Sequence, residues 1–135
     1  RRTPYASGGL FSTAEDVTAF YQMMLNGGVA GGERLLKKKT VEQMTQTQTG
    51  NIETGFVSGM SWGLGFQVVK QLKGVTEMVS SGTYGHGGAH ATQSWADPKT
   101  GLIYVMMIQR AGFPNGDNSP VRKGFQQAAV DEFVR

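Results

Sequence analysis

AHATQSWADPKTGLIYVMMIQ, residues 89–109, is the stretch on which the reading of the fold turns. Its two flanks, Ala89 to Ala96 and Leu102 to Gln109, are rich in residues that favour extended structure. Between them, Asp97-Pro98-Lys99-Thr100-Gly101 has the proline and glycine of a tight turn, so the whole reads as an antiparallel hairpin. A further extended stretch runs from Trp62 to Lys70.

Helices bracket these strands. Ser12 stands three residues before Glu15 as a capping-box pair, and the helix it opens runs to about Asn26, with Val17, Phe20, Met24 and Leu25 on one apolar face. Asn26-Gly27-Gly28 stops it. A second, shorter helix is expected from Thr40 to Thr47 with Val41 and Met44 inward, and the Lys37-Lys38-Lys39 run reads as its solvated approach. Thr49 to Gly59 is polar, without sustained period, and reads as a loop. Ser119 and Pro120 open a last helix in which Val121, Phe125, Ala128 and Phe133 face the sheet. The order helix, helix, strands, helix predicts an α+β fold, an antiparallel sheet flanked by helices, in a single domain over residues 1–135.

A chain of 135 residues buries roughly two thirds of its unfolded surface on folding. With 39% apolar residues it is too apolar for a disordered chain, and its 20 glycines are roughly twice ordinary usage. The formal charge of +3 is spread along the chain and forms no nucleic-acid footprint. Absence of cysteine removes disulfide and thiolate chemistry and leaves the compartment open. No apolar run approaches the roughly 20 residues that span a bilayer, and Arg1-Arg2-Thr3-Pro4 has no signal-peptide core.

The chemistry concentrates at Gly85-His86-Gly87-Gly88-Ala89. Glycine at Gly87 and Gly88 lets a ligand approach the main chain closely. His86 reads from the residues alone either as a structural histidine held in a turn or as a functional one. His86 and His90 have a helical metal spacing, but the intervening glycines oppose a helix, and on a strand the two would stand about 13 Å apart. Neither a metal nor a cofactor is expected. Gly82 to Gly88 lacks the phosphate-loop pattern. Trp62, Phe66, Trp95 and Tyr104 could line a ligand groove, but aromatics alternating on strands are more often core, and most are expected there.

Taken in order, Ala6-Ser7-Gly8-Gly9-Leu10 through Glu15-Asp16, Trp62-Gly63-Leu64-Gly65-Phe66, Gly85-His86-Gly87-Gly88 and Asp97-Pro98 resemble the C-terminal region of the serine β-lactamase-related family. That family includes class C β-lactamases, D-alanyl-D-alanine carboxypeptidases and many esterases. The ordered series carries the resemblance across nearly the whole chain, and no single motif is specific. It implies a partial β-lactamase/transpeptidase-like fold and a C-terminal fragment of a larger serine hydrolase, periplasmic or secreted. The family's third motif falls on His86, Gly87 and Gly88, which implies that His86 hydrogen-bonds the substrate or polarises the tyrosine-lysine network, with close substrate approach at Gly87 and Gly88 and a main-chain oxyanion donor at Ala89. Many relatives carry lysine at the first of these positions, and histidine inclines the reading toward an esterase or peptidase.

The family's nucleophile and base come from SxxK and YxN motifs, and neither occurs here. Ser12 is followed three residues on by Glu15, Ser81 by Tyr84 and Ser119 by Arg122, while Tyr5, Tyr21, Tyr84 and Tyr104 are followed two residues on by Ser7, Met23, His86 and Met106. The isolated chain is therefore expected to be inactive, its partners being the missing N-terminal segment and a small ester, amide or peptide substrate, with no nucleic acid. An unpaired sheet edge would allow self-association. The alternatives are a non-catalytic module binding peptide or cell-wall ligands, and a natural inactive relative acting as a scaffold.

Overall fold

A computed structural model describes residues 10–53, 57–112 and 114–134; Ala6 to Gly9 of the first motif lie outside them. Helix α1 spans Ala14–Leu25, a two-residue ribbon pairs β1 (Val29–Ala30) with β2 (Glu33–Arg34), and α2 spans Lys38–Thr45. Five strands follow: β3 (Met60–Trp62), β4 (Gln67–Val69), β5 (Tyr84–Gly87), β6 (Gln93–Ala96) and β7 (Ile103–Met106). A 3₁₀ turn at Gly74–Thr76 separates β4 from β5, and α3 (Pro120–Phe133) closes the chain. The five strands form one antiparallel sheet in sequence order.

Alternation along the strands gives this sheet two faces. On one, Phe66, Val68, Tyr84 and Ala96 pack against Tyr21, Met23 and Met24 of α1 and Val41 of α2. On the other, Met60, Val69, Trp95 and Tyr104 pack with Val75 and Val79, under Phe125, Ala129 and Val130 of α3. The fold is thus α+β in three layers, helix on both sides of an antiparallel sheet.

The hairpin over residues 89–109 forms, with β6 and β7 paired from Gln93↔Met106 to Ala96↔Ile103. Its turn is held by Asp97, fully buried, whose Oδ1 accepts the Lys99 and Thr100 amides at 2.9 and 3.3 Å and whose Oδ2 accepts the Ser80 amide at 2.9 Å. The expected strand over Trp62 to Lys70 is instead two, β3 and β4. Gly63 donates to the Phe66 carbonyl at 2.8 Å and packs so tightly on the end of α2 that the chain reverses there. Tyr-Gly-His-Gly has little extended propensity, and only the family resemblance puts its motif on a strand, yet β5 is the middle strand of the sheet.

Several helix details shift. Thr13, not Ser12, caps α1, accepting the Asp16 amide at 3.1 Å. Phe20 stays 43% exposed and stacks on Phe66, because Tyr21 takes the inward position and reaches across to β6. The lysine run enters the first turn of α2, whose cap position, Lys37, makes no side-chain capping bond. Ser119 caps α3 as expected, but Val121, Ala128 and Phe133 face solvent. Arg122 and Gln126 lie inward instead, which turns the helix so that Phe125, Ala129 and Val130 meet the core.

Two measurements check this packing. A Cβ at Gly85 would lie 2.1 Å from the Ser94 carbonyl oxygen and 2.7 Å from the Trp95 ring, whereas one at Gly124 meets nothing. Gly85→Ala is expected to lose about 3 kcal/mol in chemical denaturation and Gly124→Ala to gain about 1 kcal/mol; equal stability of Gly85→Ala and wild type would overturn the register. Burial holds the phenols of Tyr21, Tyr84 and Tyr104 above their usual range, Tyr104 at about 12 with Asp97 adding to the effect. A phenol raised in the folded state stabilises fully below its unfolded pKa of about 10 and loses that contribution as pH climbs through the folded value. Phenolate absorbance of these three tyrosines should therefore appear together with alkaline unfolding, above pH of about 10, and not before it.

Candidate functional site

Strand β5 outlasts its neighbour. It pairs with β4 only at Val68↔Tyr84 and Gln67↔Gly85, but with β6 through His86↔Ser94 and Gly87↔Gln93. The antiparallel ladder turns alternate main-chain groups to opposite sides. Gly85 meets Gln67, and Gly87, two residues on, directs its N–H and C=O to the same side, past the end of β4. The chain then reverses through a three-residue loop, Ala89 to Ala91, with the Gly88 amide donating to Thr92 at 2.8 Å and the Ala91 amide to Gly88 at 2.9 Å. Ala91, at φ 69°, supplies the left-handed residue that closes such loops. The Ala89 N–H, exposed in this loop, makes no hydrogen bond among the described residues.

His86 is exposed on the α1 face of the sheet. Its Nδ1 lies 2.5 Å from the Gly87 carbonyl oxygen. A carbonyl only accepts, so Nδ1 carries the proton and Nε2 of the neutral ring is left as an acceptor. Trp62 packs against the imidazole at 5.2 Å between ring centroids, and is itself fixed by the Thr49 hydroxyl, which accepts the Trp62 amide at 3.1 Å. Behind the histidine, the Tyr21 hydroxyl donates to the Ser94 carbonyl at 2.9 Å, with the Ser94 hydroxyl 3.1 Å away. A cleft of about 340 Å³ lies here, bounded by His86, Gly87, Gly88, Val17 and Met107.

The opposite face of β5 is occupied. A Cβ at Gly87 would fall 1.6 Å from Asp117 Oδ1 and 2.7 Å from Gln93 Nε2, so glycine is required there by close approach. The Asp117 carboxylate accepts from Gln67 Nε2 of β4 at 2.9 Å and from Gln93 Nε2 of β6 at 3.0 Å. Gln93 Oε1 accepts the Trp95 indole N–H at 2.7 Å, the Arg122 guanidinium stacks 3.9 Å from the Trp95 ring, and Arg122 donates back to the Asp117 carbonyl at 2.8 Å.

The four residues singled out from the sequence therefore stand together: His86 and Gly87 end β5, Gly88 follows, and Ala89 opens the loop. His90 lies in the loop, not beside His86 on a helix. Of the four aromatics, Phe66, Trp95 and Tyr104 are core, while Trp62 lines the histidine. Trp62 is among the aromatics that could line a groove, whereas sequence reasoning missed Gln93 and Asp117 as the backing of the site, since nothing local ties Asp117 to a strand 24 residues away. Among the described residues, no serine hydroxyl is hydrogen-bonded to a lysine or histidine side chain, and no three His, Asp or Glu residues are grouped to hold a metal.

The tautomer is open to direct measurement. Long-range ¹⁵N–¹H spectra of His86 in its neutral form should show a protonated Nδ1 and a bare Nε2; the reverse pattern would mean that the Gly87 carbonyl is not its partner.

Comparison with known proteins places this geometry. The Beta-lactamase family model matches residues 1–128. An uncharacterized protein of Mycobacterium tuberculosis is 32% identical over 114 residues, covering 77% of this chain and 28% of its own. A Salmonella typhi protein named "Putative D-alanyl-D-alanine carboxypeptidase" is 31% identical over 109 residues, covering 78% of this chain and 23% of its own; a Salmonella agona protein of the same name matches equally. The chain thus spans about a quarter of the length of the curated relatives it matches. A match over nearly the whole chain, a mixed fold consistent with part of a β-lactamase-like fold and the ordered motifs around His86 agree, and the chain belongs to the Beta-lactamase family.

Proposed function

We propose that this chain is the C-terminal lobe of a serine hydrolase that cleaves ester or amide bonds through an acyl-enzyme, with the nucleophile and its base supplied by sequence outside residues 1–135. The observation that carries this reading is the Ala89 N–H, unbonded among the described residues, just past the end of a strand whose last residues pair with β6 but have no partner on the β4 side. In such a reaction the serine Oγ attacks the carbonyl carbon, the carbonyl oxygen becomes an oxyanion, and the leaving alcohol or amine departs with a proton. Water then breaks the acyl ester and releases the acid. A preorganised main-chain donor stabilises the oxyanion by about 3 to 4 kcal/mol, and Ala89 is the residue placed for it. His86 Nε2, an acceptor, serves a hydroxyl or amide N–H of substrate or of the proton-transfer groups. Gly87 and Gly88 keep the strand edge clear, so that an extended acyl group can lie along it. The carboxypeptidase-named relatives favour a peptide-like amide among the substrates.

A single substitution isolates the donor. Proline suits the first position of a turn and carries no N–H, and Gly88 before it tolerates the restriction proline imposes. In the protein carrying its upstream segment, Ala89→Pro should leave thermal unfolding nearly unchanged and slow acylation by a fluorophosphonate roughly 10²- to 10³-fold. The chain of residues 1–135 alone should give no adduct. Labelling of a serine within it would sink the divided-site reading, and undiminished labelling of Ala89→Pro would remove Ala89 from the oxyanion site.

A further inference from the structure

We propose that Asp117 is a positioning residue for this site: its carboxylate ties β4 to β6 across the back of β5 and so fixes where the Gly87 to Ala89 edge stands. The proposal rests on the serine-hydrolase reading above for its catalytic meaning.

Three observations carry it. Asp117 sits directly behind Gly87, so close that no side chain fits between them. Its two oxygens are divided between the two strands that flank β5, Oδ2 to Gln67 and Oδ1 to Gln93. Gln67 is also where β4 stops pairing with β5. The tie therefore crosses the sheet at the point where β5 loses its neighbour and has no ladder on the β4 side to hold it. A strand end of this kind is otherwise free to splay, and a donor displaced by about 1 Å can cost on the order of 100-fold in rate.

The tie is also directional. Gln93 and Gln67 are both almost fully buried. Gln93 cannot turn its amide over, because its Oε1 already accepts from the Trp95 indole. Its Nε2 must find an acceptor where Asp117 Oδ1 stands, or remain an unpaired donor in the interior. The segment that brings Asp117 there is anchored in turn by Arg122, through the Asp117 carbonyl and the Trp95 ring. The carboxylate thus transmits the position of α3 to the strand edge on the other side of the sheet.

The test uses the protein with its upstream segment and three variants. Asp117→Asn keeps the size and can keep the acceptor toward Gln93, with Gln67 reorienting, and should retain acylation within about threefold. Asp117→Leu keeps approximate bulk but no acceptor, Asp117→Ala keeps neither, and both should lower the acylation rate about 10- to 100-fold while substrate KM stays unchanged and the protein remains folded at the assay temperature. In amide ¹⁵N–¹H spectra, Gly87, Gly88 and Ala89 should move in Leu and Ala variants and hold in Asn. Wild-type rates and unmoved amides in folded Asp117→Ala would overturn the proposal. If both apolar variants fail to fold, Gln67→Met decides it, with a several-fold slower rate and shifted Gly87 amide expected, and wild-type behaviour overturning it. A wild-type protein that is not labelled at all defeats the functional reading and the catalytic part with it, and the amide spectra then separately decide whether Asp117 sets the edge.

Discussion

Trp95 has no exposed surface because the strand beside it carries glycine opposite. Gly85 contributes no side chain, the indole spreads over the vacated main chain, and any added carbon there would collide with it. That contact is worth several kcal/mol, since truncating a buried tryptophan costs about 3–5 kcal/mol. It also sets direction. The indole N–H points at Gln93, the ring face receives Arg122, and Arg122 fixes both the turn of α3 and the loop before it. The inward position of two polar helix residues, which no amphipathic pattern predicts, follows from this ring.

The two faces of the sheet are consequently unlike. The α1 face is aromatic, with Phe20, Tyr21, Phe66 and Tyr84 in mutual ring contact. The α3 face has a polar centre, Gln67, Gln93, Asp117 and Arg122, joined by hydrogen bonds that leave one buried nitrogen of Arg122 without a hydrogen-bond partner among the described residues. Strand β5 lies between them, central in the sheet yet open along its last residues. A sheet edge is ordinarily at the outside of a fold and a hazard; here one arises inside the strand order because β4 is shorter than β5. The strand end is thereby open toward β4 and toward the cleft while Asp117 backs its other face, an arrangement suited to preorganised stabilisation of charge.

The chain belongs to the Beta-lactamase family and covers about a quarter of its relatives' length, and on the proposed reading this edge is one side of a larger site. A carbonyl-activating edge without a nucleophile positions but does not cut. The chemistry of the proposed enzyme is thus divided along the chain: charge stabilisation and substrate alignment here, bond making in sequence outside it. His86 fits that division, because its Nδ1 proton is committed to the neighbouring carbonyl and Nε2 of the neutral ring is left as an acceptor on an exposed residue.

What the sequence determined by itself are the features whose causes are local. The Asp97 to Gly101 turn, the stop of α1, the start of α3, the inward Val41 of α2 and the grouping of His86, Gly87, Gly88 and Ala89 all depend on residues a few positions apart. Turn chemistry, capping and adjacency act at that range. The tertiary structure decided the rest. Tyr84 to Gly87 has weak strand propensity and becomes the central strand because Trp95 and Tyr21 pack on its two sides. Phe20 and Tyr21 exchange places because only the tyrosine hydroxyl finds a partner on β6. Trp62 and Asp117 reach the site from strands and loops far away in sequence, through contacts made only once the sheet is assembled. Burial and long-range hydrogen bonding are properties of the closed fold, and a reading limited to neighbours along the chain has no access to either.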